Sequence, residues 1–212
     1  MTPSRRAKLQ IIIATRNPHK FRELTALLAV PGIRWRSLAE FSRVSAIRED
    51  GKTFEANAGK KARLTARATG CLALADDSGL EVKELRGAPG IRSARFAGRH
   101  GDDRANNIKL LKQLESMPMS RRQAQFRCVL ALASPTKILK MTKGVLRGRI
   151  AREPAGKQGF GYDPIVLVPR LHRTVAQLSS AAKNRISHRA RAAAKMRKWL
   201  AGTQALTTQG VE

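Results

Sequence analysis

Ala73-Leu74-Ala75-Asp76-Asp77-Ser78-Gly79-Leu80-Glu81-Val82 is the stretch around which the chain is organised. An apolar strand, Cys71 to Ala75, runs into two adjacent carboxylates, then Ser-Gly, then a second apolar alternation. Strand ends in α/β proteins are where ligands sit, because side chains there emerge from a rigid sheet. Two neighbouring aspartates repel each other unless a cation or an array of donors lies beside them. A divalent metal carried in by a phosphate-bearing substrate is the simplest such cation. The alternative is a solvated turn, since Asp, Ser and Gly are ordinary turn residues.

The flanking segments favour a ligand site. Upstream, Leu9 to Ala14 is a continuous apolar run of strand length, as expected of a strand buried on both faces. Thr15-Arg16-Asn17-Pro18-His19-Lys20 follows, and Phe21, Leu24, Leu27 and Leu28 then recur with helical spacing. A strand, a short polar loop and a helix N-terminus make an anion site, through unpaired N–H groups and the helix dipole. Asn17 or Thr15 is the expected cap, Pro18 suits the first turn, and Lys20 adds a point charge for phosphate. The segment lacks the glycines of a Walker A loop.

Ile33 to Leu38 reads as a short strand, and Ser42 to Gly51 as an exposed loop ending in Glu49-Asp50-Gly51. Thr53 is the expected N-cap of a helix to about Ala68, with Phe54, Ala58, Ala62 and Ala66 on its inner face. Lys60, Lys61, Arg63 and Arg67 form its polar face, and Gly70 stops it. Beyond the central stretch, Leu80 to Leu85 alternates as a strand and Gly87 to Gly90 is a turn. Asp102 is placed to cap a helix over Arg104 to Leu114. Ala124 to Ala133 and Ile138 to Val145 read as a hairpin. Gly156 to Pro164 is a glycine-rich loop containing Phe160, Gly161, Tyr162 and Asp163, and it feeds a strand at Ile165 to Val168. Its glycines let backbone approach a flat ligand on which Phe160 stacks. Near the end, Ser187 caps a helix that carries Ala190, Ala193, Met196 and Leu200 inward, which fixes His188 and Arg189 at its entrance.

Composition bounds the remaining choices. The chain has 212 residues with 42 Lys and Arg against 15 Asp and Glu, a net charge of +27. Such a field attracts polyanions, so nucleotides and, non-specifically, nucleic acids are the expected partners. Aromatics are only 4% of the residues, poor material for base-stacking platforms. No apolar run approaches the length of a membrane span, and no separate leader is expected ahead of Leu9, so a cytoplasmic protein is expected. Cys71 and Cys128 each sit in an apolar run and read as buried free thiols. The expected organisation is a basic extension over residues 1–8, one domain over 9–201 and a frayed polar tail over 202–212.

Five motifs in order make a family resemblance. They are Thr15-x-Asn17-x-x-Lys20, Ala75-Asp76-Asp77-Ser78-Gly79-Leu80, Gly87-Ala88-Pro89-Gly90 through Phe96, Gly159-Phe160-Gly161-Tyr162-Asp163-Pro164, and Ile186-Ser187-His188-Arg189. Over roughly residues 9–200 the chain resembles the inosine triphosphate pyrophosphatase family, the Ham1-like or RdgB-like enzymes. The resemblance implies an elongated, two-lobed α/β fold with a long twisted mixed sheet flanked by helices, a central substrate cleft and a homodimer. It implies Mg²⁺-dependent cleavage of ITP, dITP and XTP to the monophosphate and pyrophosphate, which cleanses the nucleotide pool. Carried over residue by residue, Thr15, Asn17 and Lys20 would hold the phosphates, Lys20 also counting among the catalytic residues with Asp76 and Asp77, and Arg16, Pro18 and His19 would line the same substrate site. Glu49 and Asp77 would bind Mg²⁺, with Asp77 placing the attacking water and Asp76 supporting it. Ser78 would touch substrate, and Phe160, Gly161, Tyr162, Asp163, Lys183, His188 and Arg189 would enclose the base.

The chain departs from the family pattern at Ala56, where a second Glu is common, and at Ala190, where Gly is usual. Arg16 and His19 are bulkier and more basic than the small residues common in that loop. A pyrophosphatase of the Maf-like branch is a rival within the same fold, which the Thr-x-Asn-x-x-Lys loop and His188-Arg189 argue against. A basic nucleic-acid-binding protein without turnover is the rival of another class.

Overall fold

The computed structural model describes residues 9–208 and is mixed α/β. The expected extension over residues 1–8 lies outside the described residues, as does the end of the tail, 209–212. Seven strands, β1 (Leu9–Ile13), β2 (Ile33–Ser37), β3 (Leu72–Val82), β4 (Gln123–Ala133), β5 (Ile138–Ile150), β6 (Val166–Val168) and β7 (Arg173–Thr174), hydrogen-bond in the order β2-β1-β3-β4-β5-β6-β7. The helices are α1 (Pro18–Leu27), α2 (Phe54–Thr69), α3 (Asp103–Gln113), α4 (Ser180–Ile186) and α5 (His188–Thr208). The described chain divides into two compact units: residues 9–77, 129–142 and 193–208, and residues 78–128 and 143–192.

In the first unit β1 pairs in parallel with both β2 and β3. Parallel strands joined by crossover helices are covered on both faces, and Ile11, Ile12 and Ile13 have no exposed surface. Phe54, Ala58, Ala62 and Ala66 line the buried face of α2, as their spacing requires. Thr53 caps α2 by accepting from Ala56 N–H at 3.1 Å, and Gly70 ends it in the left-handed conformation at φ 67°. Gly59 lets α2 approach β5, because a Cβ there would stand 2.8 Å from Met141 Cε.

In the second unit β5, β6 and β7 are antiparallel. Its core gathers Leu80, Val82, Leu110, Leu114, Phe126, Leu146, Ile150, Tyr162 and Ile165. Arg122 is buried there with backbone carbonyls around its guanidinium. Its Nε donates to Ile150 O at 2.9 Å, one terminal nitrogen to Leu114 O at 2.7 Å and the other to Ala151 O at 2.8 Å. One planar fork thus satisfies the carbonyl that closes α3 and two at the end of β5. Arg122→Met is expected to lower stability by about 3 kcal/mol in urea unfolding, since three buried acceptors lose their donor. Arg122→Lys recovers only a minor part, because an ammonium cannot span the same three oxygens.

The structure corrects several sequence expectations. Asp76-Asp77-Ser78-Gly79 is neither a strand end nor a turn: β3 runs unbroken through it for 11 residues. β1 pairs with β3 only over Leu72–Leu74, and β3 also has β4 as a neighbour in the sheet; this tertiary setting outweighs the turn propensity of these residues. The strand expected over Leu80–Leu85 stops at Val82, and Lys83–Leu85 form a 3-10 turn. The second hairpin strand continues past Val145 to Ile150. Helix α4 and strand β7 have no counterpart in the sequence reading, and the tail expected to fray after Gly202 is helical as far as Thr208. Among the described residues, no helix is long and apolar enough to cross a membrane.

Candidate active site

Within the first unit, the end of β1, the start of α1, the loop before α2 and the middle of β3 supply the polar residues. Asn17 is the cap of α1, and its Oδ1 accepts from the N–H groups of His19 at 2.8 Å and Lys20 at 3.2 Å. Thr15 Oγ1 accepts from Asn17 N–H at 3.2 Å, and Phe21 N–H is taken by Asn17 O. Pro18 has no N–H to offer. The unpaired helix N–H groups expected from the sequence are therefore already satisfied, which is a correction to that part of the anion-site reading. What the loop offers instead are side-chain donors: the Thr15 hydroxyl, the Asn17 amide and the Lys20 ammonium.

Arg16 is also placed differently from the expectation of a substrate contact. Its guanidinium donates to Phe41 O at 3.3 Å and, more closely, to Val44 O, so it ties down the 41–44 loop. His19 is exposed, with its Nδ1 3.2 Å from the Arg22 guanidinium.

The two aspartates take different partners, as alternation along a strand requires. Asp76 is buried and accepts from Lys20 Nζ at 3.2 Å, which holds the ammonium at the head of α1. Asp77 is buried too, and burial pushes its carboxyl up to about 6. The Lys61 charge works against that shift, while Glu49 and Asp76 add to it. The Asn57 amide acts in the lowering direction as well, yet Asn57 Nδ2 and Asp77 Oδ2 are both buried with no hydrogen-bond partner.

Glu49 is set by α2 rather than left on an exposed loop. Lys61 Nζ grips its carboxylate, Lys60 Nζ lies 2.6 Å from Asp50 Oδ1, and Gly51 N–H donates to Asn57 Oδ1 at 2.7 Å. Burial raises the Glu49 carboxyl, but the Lys61 charge and hydrogen bond outweigh it and the net effect is a lowered pKa. Lys61 and Asn57 belong to the candidate site, and sequence reading did not single them out. Lys61 was one of four basic residues on a helix face, and only the fold singles it out.

An orphaned carboxylate oxygen on Asp77, with Glu49 bearing on it electrostatically, fits a hard divalent cation. Mg²⁺ characteristically takes one or two carboxylates and completes its shell with water and substrate phosphates. No cluster of three or more His, Cys, Asp and Glu side chains arranged for a metal occurs among the described residues. The fit is therefore to a metal shared with a ligand, rather than to an all-protein cage. Because Lys61 lowers both carboxyls, Lys61→Met is expected to move the acid limb of kcat/KM to higher pH. At pH 6 a loss of about tenfold is expected in a pH–rate profile.

The second unit gathers the expected base-site residues around the 159–163 loop. Asp163 Oδ2 accepts from Phe160 N–H at 3.0 Å and from Lys183 Nζ at 2.6 Å. Gly159, at φ 80°, leaves room for that carboxylate. Lys183 Nζ lies 4.9 Å and Arg189 Cζ 5.6 Å from the centre of the half-buried Phe160 ring. Two cations thus lie over the aromatic ring.

Tyr162 and Asp163 are structural parts of this clamp rather than exposed contacts. Tyr162 is buried and donates to Ser93 O at 2.9 Å; burial, then the Asp103 charge, raises its phenol pKa. His188 is buried and stacks on Phe126, ring centres 4.8 Å apart and 15° from parallel, and Arg189 is buried behind it in sequence. Ser78 lies half-buried in β3, beside Asp77.

Known proteins share this chain's sequence and fold. Residues 11–199 match the model of the Ham1 family. A dITP/XTP pyrophosphatase of Desulforamulus reducens is 49% identical over 187 residues, 88% of this chain and 93% of its own. Among solved structures, a HAM1 protein from Coxiella burnetii has a TM-score of 0.84 at 44% identity, covering 92% of this chain and 99% of its own. The Ham1 protein of Staphylococcus aureus has a TM-score of 0.83 at 41% identity, with the same coverage. The motifs quoted above all fall within the matched residues, and the chain belongs to the Ham1 family.

Proposed function

We propose that the chain is a nucleoside triphosphate pyrophosphatase that hydrolyses deaminated purine nucleotides, ITP, dITP and XTP, with Mg²⁺. The observation that carries this reading is Asp77: a buried carboxylate with an orphaned oxygen, next to Glu49 in its electrostatic surroundings and flanked by Lys61. Membership of the family and relatives described as dITP/XTP pyrophosphatases support the reaction class.

Lys20, held by Asp76, brings positive charge to the phosphates, and Thr15 and Asn17 add neutral donors. Glu49 and Asp77 would hold the metal. Mg²⁺ supplies neutralisation of the triphosphate charge when bound. Asp77 orients the attacking water, accepting its hydrogen bond at the oxygen left free. Water adds to the α-phosphorus and gives up a proton to Asp77, the bond from the α-phosphorus to the α–β bridging oxygen breaks, and its electron pair leaves with pyrophosphate. A pKa near 6 makes Asp77 anionic at neutral pH, so it can accept.

In the second unit Phe160 offers its face to the purine, and Lys183 and Arg189 are the donors for a 6-oxo edge. A site built to donate there rejects adenine, whose 6-amino group leaves a donor unpaired. Product analysis tests the reaction: IMP and pyrophosphate in equal amounts, lost on chelation, support it, whereas IDP and phosphate overturn it.

The reading extends to a homodimer in the cytoplasm, checked by light scattering and fractionation. The charge of +27 also supports weak, salt-sensitive binding to nucleic acid. Such binding is expected to survive Asp77→Asn and to fall steeply with added salt in a filter-binding assay.

A further inference from the structure

Helix α3 begins with two aspartates that divide the work. Asp102 is the cap and accepts from Ala105 N–H at 3.0 Å. Asp103 is thereby left to reach a different segment, and its Oδ2 accepts from Gly161 N–H at 2.7 Å. Asn107 stands four residues on, on the same side of the helix, and its Nδ2 donates to Gly161 O at 3.0 Å. Both polar groups of one loop residue are therefore held by one turn of helix.

Gly161 adopts φ 64°, where its conformation is not fixed by a side chain of its own. It directly follows Phe160, so the two hydrogen bonds bear on how that ring stands against Lys183 and Arg189. Asn107 is buried and its Oδ1 has no partner. A buried acceptor left unpaired is a cost that packing alone gives no reason to keep.

We propose that Asp103 and Asn107 are positioning residues that set the selectivity of the purine site by clamping Gly161. The proposal rests on the reading of Phe160 as the purine platform. With the clamp intact, the ring and its flanking cations are preorganised for one base orientation. Without it, the loop re-aims, the correct base loses its advantage, and the phosphate chemistry of the first unit is left intact.

The test is steady-state kinetics of Asp103→Ala, Asp103→Asn and Asn107→Ser with ITP and ATP, alongside thermal melts. Asp103→Ala and Asn107→Ser are expected to raise KM for ITP about tenfold with kcat within about twofold, and to cut the preference for ITP over ATP about tenfold. Asp103→Asn keeps an oxygen acceptor and is expected to retain most of the preference. A purely structural role would lower Tm and the active fraction, leaving KM and preference unchanged; that result overturns the proposal. Should Asp103→Ala not fold, Asn107→Ser carries the same expectation and the same contradiction. A wild type that neither binds nor hydrolyses ITP overturns the purine-site reading, and the positioning role with it.

Discussion

Asp77→Asn is expected to abolish pyrophosphate release while making the metal-free protein more stable at neutral pH. The loss in kcat/KM is expected to reach at least about a thousandfold, near 4 kcal/mol of transition-state stabilisation. The amide keeps the shape but gives up the charge that would hold the metal and the basicity that orients water. The gain in stability follows from linkage. The carboxyl is raised from 3.8 to about 6 in the folded chain, so between those values the native state holds a proton that the unfolded state has released. Stability therefore falls as pH rises through that window, and the penalty stays in place above pH 6. Removing the charge lifts it, worth about 3 kcal/mol and a rise of about 8 °C in Tm at pH 7.5. Below pH 4 the two proteins are expected to melt together. Added Mg²⁺ is expected to raise the wild-type Tm and leave the variant unmoved. Calorimetry over pH 4–8 checks the sign, and an unchanged or lower Tm for the variant at neutral pH contradicts it.

The second large effect is expected at Gly159. A Cβ there would stand 2.0 Å from Asp163 Oδ2 and 2.9 Å from its Cγ, on a backbone at φ 80°. The carboxylate must move, and it is the acceptor that joins Phe160 N–H to Lys183. Gly159→Ala is expected to lower kcat/KM for ITP by about a hundredfold and stability by about 2–3 kcal/mol. Gly161→Ala is the control. It also has a positive φ, but a Cβ there meets nothing within 4 Å, so only the backbone cost of about 1 kcal/mol applies. If both variants lose the same activity, close packing of Asp163 against Gly159 is not what holds the platform.

Local chemistry was legible in the sequence wherever the deciding groups are neighbours along the chain. Asn17 before Pro18, Thr53 before Phe54, Gly70 after α2 and Asp102 before α3 are caps whose partners lie within a turn, and each occurs as read. The apolar run of β1 and the inner face of α2 were equally plain, because burial follows periodicity. Side chains whose partners come from distant segments were not legible. Arg16 looked like a substrate contact until Phe41 and Val44 claimed it, 25 and 28 residues away. Lys61 was one basic residue of four until the loop bearing Glu49 folded onto it. Asp103 and Asn107 carried no local signal, since Gly161 lies 58 and 54 residues further on. The Asp76–Gly79 stretch was misread for the same reason: its own propensity favours a turn, and the strands beside it decide otherwise.

Substrate choice and the central carboxylate meet in one assay. Pyrophosphate release is measured for ITP, XTP, GTP and ATP, with Mg²⁺ and with chelator, using wild type and Asp77→Asn at moderate salt. The account predicts Mg²⁺-dependent release from ITP and XTP, little from ATP, and none from the variant. Equal release from ATP, release that survives the chelator, or a folded Asp77→Asn that keeps its activity would contradict it.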